Sequence, residues 1–431
     1  MGDADINEVA PTYESLLKDT GIQFRQASVQ GIDKDDHTVY LDCSGSGTRS
    51  NTGDSNTDKN KIQYDSLIVA TGAEVNLERI PGAASLALPF YSIENCLELR
   101  KRLTLLDSLS LANDIDMQKQ PMEVVVVGGG YSGVELALNL SERLKQSVGK
   151  DNVKVTLVHR GKQVLEYATE HNRKMGLDRL HKSGVEIMTE CSVVEVLPAD
   201  TDTGTGTGTG HGLEELSGRA RVVLQKKNSE STETQQTLKA DILLWTAGAM
   251  RQNIPKSILN SELPRDSSGR LVTDKFLAVK GCDDVFALGD CSRVKKIPYG
   301  GTAAVAMQQA PFAAWNVYSS IMASMSDVND GRTNSNDEKL KPLPFSYLDL
   351  GEMMTLGGED ATISAMGLVE VSGPAASILR RLIYAVRMPT VQQALTAAIS
   401  GSSKRFEQSK SKAINNLGGT KEKGKKIINW Q

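Results

Sequence analysis

Cysteine is scarce in this chain of 431 residues: Cys43, Cys96, Cys191, Cys282 and Cys291 are five in number, widely separated and form no Cys-x-x-Cys pair. That pattern excludes a disulfide-stapled scaffold and a structural zinc site, and it reads as free thiols in a reducing compartment with no metal centre. Aromatic residues amount to 5% beside 38 glycines, a balance that leans toward a turn-rich α/β chain and away from collagen or coiled coil. No apolar run approaches the ~18 residues that a membrane-spanning helix needs. The opening stretch, MGDADINEVAPTYESLL, is acidic and lacks both the apolar core of a secretory signal and the Arg/Ser-rich character of a transit peptide. It implies a cytosolic protein or a true N-terminus that lies further upstream.

What is present is ordinary for a globular protein, with 39% hydrophobic and 24% charged residues. At ~150 residues per domain the length allows two to four domains. The net charge of -4 hides an asymmetry: residues 374–431 carry +9, and the rest of the chain carries -13. A basic tail on an acidic body suggests an anionic surface as partner.

Two polar segments, Cys43 to Lys61 and Thr201 to Gly212, are rich in Gly, Ser, Thr, Asn and Asp and read as disordered hairpin tips. A third, Ser326 to Lys339, separates a helical pattern from a strand-like start at Pro344-Phe345-Ser346-Tyr347. Between them lie short β-branched runs suited to buried parallel strands: Ser66–Ala70, Glu123–Val127, Lys154–Val158, Asp241–Trp245 and Asp284–Ala287. Helical patterns over Ser92–Leu106, Gly133–Leu144 and Ala303–Met322 alternate with them. That alternation predicts α/β architecture with βαβ units, a doubly wound sheet and antiparallel β-meanders where the insertions sit.

The most informative stretch is VVVVGGGYSGVELALNL. Gly128, Gly130 and Gly133 fit G-x-G-x-x-G directly after a strand and at the start of a helix. The first glycine permits the tight turn, the second lets backbone approach a pyrophosphate, and the third lets helix pack on strand, while the helix N-terminus offers N–H groups to the anion. At the end of the next strand an NAD-preferring domain usually places a carboxylate, yet here His159 and Arg160 follow Val158. A guanidinium grips a 2′-phosphate that a carboxylate would repel, so Arg160 with His159 favours NADPH or use of both nicotinamide cofactors. The alternative is a surface arginine outside the site. Two further strands end in glycine turns, Thr71-Gly72 and Thr246-Ala247-Gly248, and a third runs into Leu288-Gly289-Asp290, whose carboxylate is placed to accept hydrogen bonds from the hydroxyls of a flavin ribitol. Taken singly, each is also a common strand ending.

In this order, ATG, GGGYSGVE, WTAG and ALGD resemble the flavoproteins with two dinucleotide-binding domains. Within them the chain resembles the type II (alternative) NAD(P)H:quinone dehydrogenases, and YDSLIVATGAE, YGGTAAVAMQQAPFAAWN, LGEMMTLGGEDATIS and RRLIYAVRMPT look like the plant and algal C-type, the demethylphylloquinone reductase group. The resemblance implies two Rossmann-like FAD/NAD(P)-binding domains, one FAD, NADPH or NADH as donor and a membrane quinone as acceptor, on an organellar membrane of chloroplast or mitochondrion. It divides the chain into 1–118 (part of the FAD domain), 119–251 (NAD(P)H domain), 252–343 (second half of the FAD domain) and 344–431 (quinone- and membrane-associating region). Hydride then passes from nicotinamide to flavin, so the protein's share is positioning rather than acid–base or nucleophilic chemistry. Glu135 matches the family's acidic residue on the nicotinamide side, with a helix-N-terminal carboxylate as the alternative. Gly248 joins the NAD(P)H set, Thr71, Gly72, Gly289, Asp290 and the backbone near Ala303 the FAD set, and Gln308 and Gln309 the quinone pocket. Ala304 stands where the family usually has Gln. The disulfide reductases of the superfamily need a Cys pair beside the flavin, and no close pair exists here.

The family also carries an earlier glycine motif for the FAD pyrophosphate, which this chain lacks. The expectation is therefore a first Rossmann-like domain truncated at its start. Two other readings stand beside the enzyme: a non-catalytic NAD(P)-binding fragment, and a flavoprotein reductase with a non-quinone acceptor. At the carboxyl end, Ile378, Leu379, Leu382, Ile383 and Val386 recur at helical spacing beside Arg380, Arg381 and Arg387, followed by Val391–Ile399 and the Lys-rich tail. That suits an interfacial helix on anionic lipid; the alternative is a helix packed on its own domain or on the second copy of a homodimer. The lysines lack the interleaved aromatics of a nucleic-acid binder, so nucleic acid is not an expected partner.

Overall fold

The computed structural model describes residues 10–42, 60–111, 121–199, 219–227, 233–247, 250–251, 263–297, 299–328, 340–388 and 394. Elements used below are β1 (Leu67–Val69), α1 (Ile93–Leu111), β2 (Met122–Val127), α2 (Tyr131–Ser147), β3 (Val153–Val158), α3 (Glu170–Lys182), β4 (Ile242–Trp245), β5 (Val285–Ala287), α4 (Ala303–Val328), β6 (Glu352–Thr355), β7 (Ala361–Ala365), β8 (Val369–Gly373) and α5 (Pro374–Val386). The chain clusters into two compact units, the first comprising Met1–Phe24, Ile80–Ala247 and Leu350–Gln431, the second Arg25–Arg79 and Gly248–Asp349.

The first unit is built on a parallel sheet of five strands in the order Leu88–Pro89, β4, β2, β3, Glu186–Met188. Residues 242–245 of β4 are all buried, and β2 and β3 are buried at nearly every position. Their valine- and leucine-rich sequences follow from that two-sided burial, since helices cover both faces of a parallel sheet. Leu99, Leu103 and Leu106 of α1, and Leu136, Leu140 and Leu144 of α2, join Val124, Val126, Val155 and Leu157 in one core. Truncating any of these leucines to alanine costs about 2–5 kcal/mol by transfer and cavity terms. An antiparallel meander, Cys191–Pro198, Ala220–Lys227 and Glu233–Ala240, belongs to the same unit. So does the three-stranded sheet β6–β7–β8, whose Met354 enters the main core, while Ala376 of α5 packs on Ala361 and Ile363 of β7.

In the second unit β1 and β5 pair in parallel, Leu67 with Val285 and Val69 with Ala287. Ile32, Val39 and Leu41 of a hairpin, Ser28–Asp33 with Thr38–Asp42, pack with Val69, Val285 and Ala287. Helix α4 lies in this unit, and Val305 and Ala313 share a cluster with Leu277, Val294 and Phe345.

The five predicted β-branched runs are all strands, and the three helical patterns are all helices, each extending beyond its predicted end. Strands flank both polar insertions as an antiparallel pair. The insertion tips, residues 329–339, the segment Val391–Ile399 apart from residue 394, and the Lys-rich tail lie outside the described residues. One expectation fails: Pro344-Phe345-Ser346-Tyr347 is not a strand. Proline removes one ladder donor, and Phe345 N–H donates to Lys275 O at 2.7 Å while its ring enters the α4 cluster, so the segment is held by packing rather than by a sheet. Cys96, Cys191, Cys282 and Cys291 are free, as their spacing predicts.

Candidate dinucleotide and flavin sites

The glycine turn between β2 and α2 shows three different demands at its three fingerprint positions. Gly128 has φ +120°, and a Cβ there would stand 2.4 Å from Thr246 Oγ1 and 2.8 Å from Ala247 N. A Cβ on Gly133 would lie 1.7 Å from Gly128 O, so only glycine lets the helix sit against the turn. A Cβ on Gly130 would meet nothing within 4 Å. The open position is the one through which a pyrophosphate approaches backbone in this motif. Gly130 is also the N-cap of α2 and supplies no side-chain cap, which leaves first-turn N–H groups for an anion. Thr246 fastens the turn from β4: its hydroxyl donates to Val127 O at 2.9 Å.

At the end of β3, Val158 O accepts Gly128 N–H at 2.8 Å. The next residue, His159, turns its ring onto the glycine turn and accepts Gly129 N–H on Nδ1 at 3.2 Å. A Cβ on Gly129 would stand 2.7 Å from both His159 Cγ and Val164 Cγ1, so this glycine is required by the imidazole and the valine together rather than by the fingerprint. Burial pushes the His159 pKa down, with Arg160 adding to the effect and Glu166 opposing it. The imidazole is thus a neutral acceptor that shapes the turn. Arg160 is exposed beyond it and makes no ion pair among the described residues.

Glu135 and Tyr131 lie one turn apart on α2 and therefore on one face, and that face meets β6. Glu135 Oε1 accepts Thr355 N–H at 2.7 Å and lies 3.8 Å from Arg380 Nη2 of α5. Burial raises the Glu135 pKa, against the opposing pull of the Thr355 N–H and the Arg380 guanidinium. The Tyr131 hydroxyl donates to Glu352 of β6, and burial together with that carboxylate raises the phenol pKa. Gly248 lies outside the described residues.

In the second unit the parallel pairing of β1 and β5 brings their carboxyl ends together, and with them Thr71-Gly72 and Gly289-Asp290. Gly72 and Gly289 both take positive φ, +67° and +71°. Cys291 is fully buried behind these turns and donates to Leu288 O at 3.1 Å. A cleft here is lined by Gly289, Asp290, Gly300, Gly301, Arg270 and Arg293 among others. A Cβ on Gly301 would stand 3.1 Å from Asp290 Oδ1, so the glycine keeps the carboxylate approachable. Thr302 Oγ1 caps α4, accepting Val305 N–H at 3.3 Å, and Ala303 begins the helix in an exposed position. Open backbone, an accessible carboxylate and a helix N-terminus are the donor and acceptor set that a flavin's ribitol and polar edge require. The residues present therefore fit FAD.

The two glutamines of the expected quinone pocket each bond to protein backbone. Gln309 is buried, and its Oε1 accepts Gly289 N–H at 2.7 Å, so it shapes the flavin-side turn. Gln308 spends its amide on the backbone of Leu348, donating to its O at 2.9 Å and accepting its N–H at 3.0 Å. Ala304 is partly buried on the first turn of α4. Sequence reasoning missed Glu352, Asn172 and the structural role of Thr246. Only Thr246 carried a local signal, the threonine of the WTAG turn.

Comparison with known proteins gives the family. The family model for pyridine nucleotide-disulphide oxidoreductases matches residues 4–310. Demethylphylloquinone reductase NdbB of Synechocystis sp. is 31% identical over 399 residues, covering 91% of this chain and 81% of that protein. The chloroplastic/mitochondrial alternative NAD(P)H-ubiquinone oxidoreductase C1 of Arabidopsis thaliana is 34% identical over 409 residues, covering 93% of this chain and 70% of that protein. Among solved structures, NDH2 from Plasmodium falciparum in complex with NADH superposes with a TM-score of 0.67 at 17% identity, over 94% of this chain and 89% of that one. The chain belongs to the pyridine nucleotide-disulphide oxidoreductase family, in its type II NAD(P)H:quinone oxidoreductase branch.

Proposed function

We propose that this chain is an FAD-dependent NAD(P)H:quinone oxidoreductase. The observation that carries the reading is the glycine turn, closed by packing at Gly128 and Gly133 and open at Gly130, in a chain whose relatives are named a demethylphylloquinone reductase and an alternative NAD(P)H-ubiquinone oxidoreductase. When bound, FAD would supply the two-electron redox chemistry between NAD(P)H and a quinone, the quinol's two protons coming from the hydride donor's side and from solvent. The chain's own residues bind and orient: the first turn of α2 meets the pyrophosphate, Arg160 meets a 2′-phosphate, and Asp290 meets flavin hydroxyls. The quinone is assigned to the α4 side, with Gln308 as its polar contact after release of Leu348, and Gln309 holding the adjoining turn. The relatives' chloroplastic and mitochondrial names support an organellar location.

No described helix is long and apolar enough to cross a membrane. We assign a peripheral membrane contact to α5, which exposes Ile378, Leu379, Leu382 and Val386. Its buried face, Ala376, Ser377 and Ala385, is small-residued, so the large apolar side chains are the ones left outside. The division of the chain into an FAD portion, an NAD(P)H portion and a C-terminal membrane-associating region is part of the same proposal.

The test is the visible spectrum of the purified full chain with FAD. Bound flavin bleached by NADPH and recoloured by a short-chain quinone is the expected result. NADPH binding without flavin would leave a non-catalytic dinucleotide-binding protein, and bleaching without reoxidation by quinone would point to another acceptor.

A further inference from the structure

Three donors from two helices converge on one oxygen of Glu352. The Tyr131 hydroxyl donates to Oε2, Thr169 N–H reaches it at 3.0 Å, and Asn172 Nδ2 reaches it at 3.2 Å. Behind Asn172, Thr362 Oγ1 of β7 donates to Asn172 Oδ1 at 2.8 Å, and both of these side chains are fully buried. An oxygen that receives three donors is suited to the ionised carboxylate, which is an acceptor only.

The two ends that Glu352 ties together have a specific place in the chain. Tyr131 is the first residue of α2, directly after Gly130, and Thr169 is the N-cap of α3. Between them run α2, β3 and the loop that carries Arg160 and ends at Thr169. That loop is held to the glycine turn by Leu165 N–H on Gly129 O at 2.7 Å. Leu165 is buried with φ +56°, a backbone conformation that persists only where surroundings impose it. Arg173 of α3 secures the same stretch through Leu165 O at 3.3 Å and Ala168 O at 2.9 Å.

We propose that Glu352 is a positioning residue of the dinucleotide site. It locks the first turn of α2 and the end of the Arg160 loop in one arrangement, so that the pyrophosphate and the adenosine end of NAD(P)H meet partners already in place. This rests on the reading of the chain as an NAD(P)H oxidoreductase. Glu352 does not touch the dinucleotide turn's backbone itself; it acts through Tyr131, Thr169 and Asn172. Preformed partners raise affinity by removing the ordering cost of binding.

The experiment measures NADPH binding to the full chain by calorimetry, with 2′,5′-ADP as a probe of the adenosine end, beside urea unfolding. Glu352→Ala should raise the NADPH Kd about tenfold at a temperature where the variant is folded, from lost hydrogen bonds to a charged group. Its KM for NADPH should rise while kcat changes by less than about twofold, the pattern of lost binding rather than lost chemistry. Glu352→Gln, which keeps an acceptor of the same shape, should recover most of the affinity. Tyr131→Phe should weaken NADPH but not 2′,5′-ADP, and should add nothing in the Glu352→Ala background, because both remove one shared contact. A folded Glu352→Ala protein with wild-type Kd overturns the proposal, as do additive effects of the two substitutions. If Glu352→Ala does not fold, Tyr131→Phe decides alone, and an unchanged NADPH Kd overturns it. A wild-type chain that binds no NADPH overturns the functional reading itself.

Discussion

Two glycines three residues apart should respond in opposite ways to the same added methyl group. At Gly133 the new Cβ would stand 1.7 Å from Gly128 O and 2.8 Å from Thr246 Oγ1. The first of these is backbone and cannot swing aside, so α2 and the turn would have to part by more than about 1 Å, an overpacking that costs about 1–3 kcal/mol or more. Alanine's better helix propensity returns only about 1 kcal/mol, which leaves a net loss of about 2 kcal/mol at the upper end of that range. For a unit of this size that lowers the unfolding midpoint by about 4–8 °C. At Gly130 nothing lies within 4 Å of the added atom, and the only stability cost is that of a poorer N-cap, below about 1 kcal/mol. The methyl group instead occupies the approach to the first turn of α2, so Gly130→Ala should keep its midpoint and lose about tenfold or more in NADPH affinity. Thermal unfolding with and without NADPH reads both quantities at once, since a ligand bound to the folded state raises the midpoint by an amount that grows with the logarithm of its affinity. Equal destabilisation by the two substitutions, or wild-type NADPH binding by Gly130→Ala, would refute the assignment of the open face to the dinucleotide.

Four further outcomes are expected. Glu135 has its pKa raised by burial, so its contribution to stability is complete below the ordinary carboxylate range and is lost as pH rises through the raised value. Glu135→Gln, which still accepts Thr355 N–H, should therefore be at least as stable as wild type at pH 8 and show a flatter profile; urea midpoints at pH 5 and pH 8 check this. His159 has its pKa lowered by burial, so its neutral form is favoured in the fold and stability falls as pH drops from about 6.5 through the lowered value. NADPH affinity should fall with it, because protonation removes the acceptor for Gly129 N–H, and His159→Phe should flatten that acid limb in titrations from pH 7.5 to pH 5.5. Arg160→Glu should shift the ratio of kcat/KM for NADPH over NADH by about tenfold or more toward NADH, and an unchanged ratio would remove Arg160 from the site. Replacing Ile378 and Leu382 of α5 by serine should abolish co-sedimentation with anionic vesicles without lowering the unfolding midpoint, since both side chains are about half exposed; retained sedimentation would assign the contact elsewhere.

The parts of this structure that sequence reveals are those in which cause and effect lie close together along the chain. A valine run followed by spaced glycines gives strand, turn and helix because each demand is met within a dozen residues. The same holds for Thr71-Gly72 and Gly289-Asp290, where a strand end and its turn are contiguous. Glu352 was invisible for the opposite reason: its three donors lie 183, 180 and 221 residues away in sequence, and nothing in the local pattern of β6 marks one carboxylate as special. Gln308 and Gln309 were legible as a polar pair on α4 but not in their roles, because adjacent helical residues point about 100° apart. One reaches Leu348 and the other Gly289. Pro344 to Tyr347 misled because alternation of apolar and small residues looks the same whether the segment joins a sheet or lies along a helix.

The fit between Gly129 and the His159 ring binds the histories of two positions that are 30 residues apart. A side chain at residue 129 has no room while the imidazole and Val164 Cγ1 each lie 2.7 Å from where its Cβ would be, and a smaller residue at 159 would leave Gly129 N–H without its acceptor. Neither position can drift alone. Across related sequences, glycine at the middle of the turn should travel with a flat, hydrogen-bond-accepting ring at the end of β3, and where the glycine is replaced both residue 159 and residue 164 should change in the same lineage.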